Sequence, residues 1–165
     1  MLHIVTGCMF AGKTTELANI YNKYNKTHRV KVIDNETYEI PITNMIYTQD
    51  SIPIPCVKLR VLNTFENDYV IVLINEAQFF YELKKFVIDA LSRRKIIYLF
   101  GLDGDFKQEK FGEIIDLLPM ADTYIKLYAK CNCGAKASFS KRLSTDLTQY
   151  SPNDRYIPVC RACLM

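Results

Sequence analysis

Gly7-Cys8-Met9-Phe10-Ala11-Gly12-Lys13-Thr14 fits the pattern G-x-x-x-x-G-K-[ST]. Glycines at both ends let the backbone wrap closely, so its N–H groups can point at phosphate oxygens while Lys13 adds a cation. The Thr14 hydroxyl can ligate Mg²⁺, and a helix starting there presents its positive end to the same anion. A chance glycine turn is the plain alternative. The full match, lying between an apolar and a helical segment, argues against it. The loop predicts a bound nucleoside triphosphate and is silent about the second substrate.

Asn75-Glu76-Ala77-Gln78-Phe79-Phe80 follows the apolar run 69–74. In phosphate-loop proteins an aspartate at such a point normally holds the water shell of Mg²⁺. Here that position is Asn75, and Glu76 is the carboxylate. Glu76 can act as the general base that takes a proton from an attacking hydroxyl. It could instead be a solvated strand-end residue, but strand ends in such sheets line the ligand crevice. Asn75 can still accept from magnesium-bound water, through a neutral bond about half as strong as a charge-assisted one. Asn75→Asp is therefore expected to ease the magnesium requirement.

Cys131-Asn132-Cys133 and Cys160-Arg161-Ala162-Cys163 are separated by 26 residues. Four thiolates suit one tetrahedral structural Zn²⁺, the alternative being free or oxidised thiols. Cys8, Cys56, His3 and His28 are expected to stand aside.

These groups need a scaffold. Residues 2–6, 30–33, 69–74, 95–100 and 124–128 read as strands. Residues 14–26 and 80–93 carry apolar side chains at helical spacing, and 114–118 reads as a short helix stopped by Pro119. Segment 34–61, with Pro41, Pro53 and Pro55, reads as loop with short strands. Alternating strands and helices predict an α/β fold, a mostly parallel sheet flanked by helices. Composition shifts at Cys131, so residues 1–130 are expected to form the nucleotide-binding domain and 131–165 a small zinc-ribbon lobe.

Hydrophobic residues are 49% of the 165, enough for a packed core, and charged residues are 24%. A net charge of +3 without a basic cluster weighs against a nucleic-acid partner. No apolar run is long enough to span a bilayer. The start lacks the basic region of a signal peptide, and clustered cysteines suit a reducing compartment, so a cytoplasmic protein without a membrane partner is expected.

The chain resembles the thymidine kinases of the cellular and poxviral type, distinct from the herpesviral type. The match runs through Gly7–Leu17 and Asn75–Phe80, then Leu102-Asp103-Gly104-Asp105-Phe106, Phe111-Gly112, Lys126-Leu127, Lys141-Arg142-Leu143 and Val159-Cys160-Arg161-Ala162-Cys163, in the family's order. The resemblance implies a phosphate-loop kinase moving the γ-phosphoryl of ATP to the 5′-hydroxyl of thymidine or deoxyuridine, for nucleotide salvage. It implies Glu76 as catalytic base, Lys13 and Thr14 on phosphate and Mg²⁺, and zinc on the four cysteines. It places Met9, Phe79, Leu102, Phe106 and Phe111 around the nucleoside, Ser140 near the pyrimidine ring and Tyr156 on the substrate. Without it, core packing would serve as well for each aromatic. A lasso loop over 144–155 would cover the base. A homotetramer and dTTP as a feedback inhibitor are further implications.

The departures are Asn75 in place of aspartate, no arginine in Asn35-Glu36-Thr37-Tyr38, Lys110 in place of a proline, and a shorter lasso. They leave one rival, a nucleotide-binding homologue with weak or no catalysis. A nucleic-acid-linked ATPase is the other, and the near-neutral charge weighs against it.

Overall fold

The computed structural model describes residues 1–36, 44–62 and 68–165. Thr37, Tyr38 and Pro41 lie outside the described residues. The chain runs β1 (Leu2–Gly7), α1 (Lys13–Tyr24), β2 (Val30–Asn35), β3 (Met45–Tyr47), β4 (Pro53–Pro55), β5 (Val57–Leu59), β6 (Ile71–Ile74), α2 (Leu83–Ser92), β7 (Ile96–Gly101) and β8 (Thr123–Leu127). Then come β9 (Ala129–Lys130), β10 (Lys136–Ala137), β11 (Phe139–Arg142), β12 (Tyr156–Val159) and the one-turn α3 (Arg161–Leu164). Short 3₁₀ segments cover Ala77–Phe79 and Ile115–Met120.

Six strands form one parallel sheet in the order β5-β2-β6-β7-β1-β8. The α/β expectation holds. The β1-α1-β2 crossover passes over two strands instead of joining neighbours. One sheet face, with Leu2, Ile4, Val72, Ile74 and Leu99, packs on Leu83, Phe86 and Val87 of α2 and on Leu117. The other, with Val5, Val32, Leu73 and Phe100, packs on Leu17 and Ala18 of α1. Consecutive residues of β6 thus feed opposite cores, which is why its sequence is apolar without alternation. All strands point the same way, so Gly7, Asn35, Asn75 and Leu102 emerge at one edge.

Most boundaries differ from the sequence reading by one or two residues, and three of the differences have a clear local cause. The strand expected at 69–74 begins at Ile71, because Val70 faces solvent. The helix expected from Phe80 begins at Leu83: Phe80 is extended and Glu82 has a φ of 56°. Pro119 lies inside the 3₁₀ segment ending at Met120 and does not stop it. The i→i+3 pattern and proline's fixed φ are compatible there.

Candidate active site

Strand β1 ends in the glycine-framed loop. A Cβ on Gly7 would come within 2.7 Å of the Leu127 carbonyl oxygen on β8, so only glycine lets the loop start this close to the sheet. Lys13 opens α1 and turns its Nζ back onto the carbonyls of Gly7 (3.1 Å) and Cys8 (2.9 Å). Burial holds its ammonium below the usual pKa, opposed by the charge of Glu76. A half-buried cation at the mouth of a glycine-framed loop and a helix start suits an anion. Phe10, at φ 64°, projects into solvent with 60% of its surface exposed.

The C-terminal lobe holds this loop from behind. Cys8 Sγ donates to the Ala137 carbonyl at 3.3 Å, and burial pushes its thiol pKa up, keeping it protonated as a donor. The Met9 N–H donates to Ser140 Oγ at 3.0 Å. Ser140 and Cys8 line a small separate hollow of about 130 Å³ with Asp103 and Lys126, which form an ion pair at 2.5 Å.

A cavity of about 480 Å³ opens at the carboxyl edge of the sheet, within the usual range for ligand pockets. The loop from Met9 to Thr14 lines one side. Glu76, Gln78, Phe79, Leu102 and Tyr150 line the other, and Asp34 and Asn75 also reach its wall. Glu76 has φ 48° and ψ 41°, a left-handed conformation that turns the chain sharply out of β6. Gln78, 3% exposed, donates from Nε2 to Glu76 Oε2 at 2.7 Å and accepts the Leu102 N–H on Oε1 at 3.0 Å. It ties the carboxylate to the end of β7. The sequence carried Gln78 inside Asn75–Phe80 with nothing to mark this role.

Of the anticipated nucleoside contacts, Met9, Phe79 and Leu102 line this cavity, whereas Phe106, Phe111 and Tyr156 do not and Ser140 lines the small separate hollow. Phe111 meets Phe79 edge-on with centroids 5.2 Å apart. Gly112 (φ 63°) follows so closely that a Cβ would sit 2.2 Å from the Gln78 carbonyl oxygen. Tyr150, which sequence reasoning missed, meets Phe79 at 4.8 Å and stacks on Tyr156 at 6.2 Å and 7°. No periodicity marks it within the polar lasso.

Arg142 organises that lasso. Its side chain is 1% exposed, pairs with Asp154 at 2.9 Å and donates to the carbonyls of Asp146 (2.7 Å) and Thr148 (2.6 Å). It also donates to the Tyr156 hydroxyl and lies 4.1 Å over the Phe106 ring. Gln149 fastens the loop to Asp105 at 3.0 Å and to the Lys110 carbonyl at 3.2 Å. Lys110 itself pairs with Asp116 at 2.8 Å.

The Sγ atoms of Cys131, Cys133, Cys160 and Cys163 all lie within 4.8 Å of one another. Ligands of a zinc–thiolate tetrahedron sit about 3.8 Å apart, so the cluster fits Zn²⁺. Backbone N–H groups of Cys133 and Cys160 bring the Cys131 thiol down to about 6, and its sulfur neighbours push Cys163 up to about 12. One thiolate forms readily and opposes the next, so a divalent cation is needed to hold all four ionised. The one-residue spacer between Cys131 and Cys133 is compatible with this closeness. Among the described residues, no helix is long and apolar enough to cross a membrane.

Known proteins match along the whole length. A family profile described as thymidine kinase matches residues 1–164. A thymidine kinase of Fowlpox virus is 34% identical, over 98% of this chain and 95% of its own. One from Oryza sativa subsp. japonica is 37% identical over 97% of this chain, which spans 64% of the rice protein. Thymidine kinase a of Arabidopsis thaliana is 34% identical over 97% of this chain and 73% of its own. With that coverage and a cavity joining the phosphate loop to Glu76, the chain belongs to the thymidine kinase family.

Proposed function

We propose that this chain is a thymidine kinase that transfers the γ-phosphoryl group of ATP to the 5′-hydroxyl of thymidine or deoxyuridine. One observation carries the reading: a single cavity brings the phosphate loop face to face with Glu76 and the aromatic wall. The loop and Lys13 bind the triphosphate. Met9, Phe79 and Leu102 enclose the nucleoside, and Phe106, Phe111, Ser140 and Tyr156 support them as an outer layer. The lasso covers the base and excludes water.

Glu76, oriented by Gln78, takes the proton of the 5′-hydroxyl as its oxygen attacks the γ-phosphorus. The bond from that phosphorus to the β-phosphate oxygen breaks, and ADP leaves with the electron pair. The Thr14 hydroxyl and the Asn75 amide oxygen, both of residues lining the cavity, are hard oxygens of the kind that suits Mg²⁺ and its water shell. Held there, the ion would supply positive charge against the leaving group. Structural Zn²⁺ on Cys131, Cys133, Cys160 and Cys163 would pin the ends of the lasso lobe.

Family membership also supports a homotetramer and feedback inhibition by dTTP. The four-thiolate cluster fits a reducing compartment, the cytoplasm. The decisive assay is transfer of labelled phosphate from ATP to a nucleoside panel, with DNA-stimulated ATP hydrolysis as control. Thymidine and deoxyuridine are expected to be labelled. Binding without transfer would favour the nucleotide-binding homologue instead.

A further inference from the structure

Asp34 lies in β2 and Asn75 follows β6, side by side next to the register pair Ile33 and Ile74. Both are buried, 4% and 6% exposed, yet both reach the cavity wall. Asn75 Nδ2 donates to Asp34 Oδ1 at 2.8 Å, and Lys58 Nζ, on the neighbouring β5, donates to Asp34 Oδ2. The amide nitrogen of Asn75 is thereby committed, which leaves its carbonyl oxygen as the acceptor. The negative charge missing at position 75 stands one strand over.

We propose that Asp34 supplies the strand-end negative charge of this cavity, and that Asn75 passes it on as a polarised acceptor for the water shell of the cation on the triphosphate. The inference rests on reading the cavity as an ATP site. An amide whose N–H donates to a carboxylate is a stronger acceptor at its oxygen, because hydrogen bonds in a chain polarise one another. Lys58 pairs with the buried carboxylate from the far side, the partner that a buried charge needs. Asp34 is a positioning residue, acting through Asn75. The sequence reading placed the loss of charge at Asn75 and could not see its neighbour, 41 residues away in the chain.

The test is calorimetric titration of ATP, without nucleoside, into the wild type, Asp34→Asn, and Asp34→Asn with Lys58→Met. Each is run with Mg²⁺ and again in EDTA, and Mn²⁺ uptake is followed by electron paramagnetic resonance. Affinity for magnesium-bound ATP and for Mn²⁺ with ATP is expected to fall about tenfold in both variants. Affinity for metal-free ATP is expected to hold or to rise, because a negative group near the phosphates is gone. The double variant also removes the Lys58 ammonium that faced the lost carboxylate, so it gives the result even where Asp34→Asn alone unfolds. Unchanged magnesium-ATP affinity overturns the inference. So does an equal loss with and without metal, or recovery of wild-type affinity on adding Lys58→Met. A wild type that binds ATP in neither condition overturns the reading of the cavity itself, and this inference with it.

Discussion

Replacing Glu76 by glutamine keeps the size of the side chain and removes its ability to take a proton. Turnover is expected to fall by roughly 10² to 10⁴, with ATP and thymidine affinities nearly unchanged; steady-state kinetics on the purified variant checks this. Gln78→Ala should act more softly. It leaves the buried Leu102 N–H without its acceptor, at about 1–3 kcal/mol of stability, and frees Glu76 to rotate, so turnover falls while substrate affinity holds. Asn75→Asp, which from sequence alone promised an easier magnesium requirement, meets Asp34 at 2.8 Å. Two carboxylates that close share a proton, so one pKa rises above its unfolded value. Stability of this variant should then be best in acid and decline as pH rises through that raised pKa, a trend that melting temperatures across pH 4–8 would show. At this scale the convergence of Lys13, Thr14 and Glu76 on one cavity was legible, because their motifs sit at strand ends. Gln78 and Asp34 were not, because a hydrogen bond between strand ends leaves no mark in a linear pattern.

The strands and helices were legible from apolar runs and helical spacing, since burial on two sheet faces imposes both. The lasso was not, because it packs through carbonyls, one arginine and one carboxylate rather than through apolar periodicity. Arg142→Met removes four of its anchors and leaves the half-buried Asp154 to Ser144 and the Arg155 N–H. Losing a charged hydrogen-bond partner of this kind costs about 1.5–3 kcal/mol. The thymidine Michaelis constant should rise well before that for ATP, because Tyr150 loses its seat against Phe79 while Lys13 keeps its own. Equal changes in both constants would count against the lasso as a lid.

Across the whole molecule, the zinc lobe and the phosphate loop share a small core of Cys8, Cys131, Ala137 and Val159. Stripping zinc is therefore expected to raise the Michaelis constants of thymidine and ATP together, before the parallel sheet unfolds. Elemental analysis should find one zinc per chain, and uptake by the stripped protein should release protons. Capture should weaken as pH falls toward about 6, where Cys131 regains its proton. The sequence announced the cluster of four cysteines. It could not announce the contact with Cys8, which joins residues 129 positions apart.

The placement of β1 between β7 and β8 has a consequence for synthesis on the ribosome. The strand that carries the phosphate loop emerges before either of its partners, Ile96–Gly101 and Thr123–Leu127, exists. Its apolar backbone must wait until Gly101 is made for its first partner and until Leu127 for its second, and the loop's contacts to Ala137 and Ser140 come later still. Pairings this distant in sequence slow folding and lengthen exposure to aggregation. A nascent chain of this protein is thus expected to stay unable to grip nucleotide until nearly all of it has left the exit tunnel.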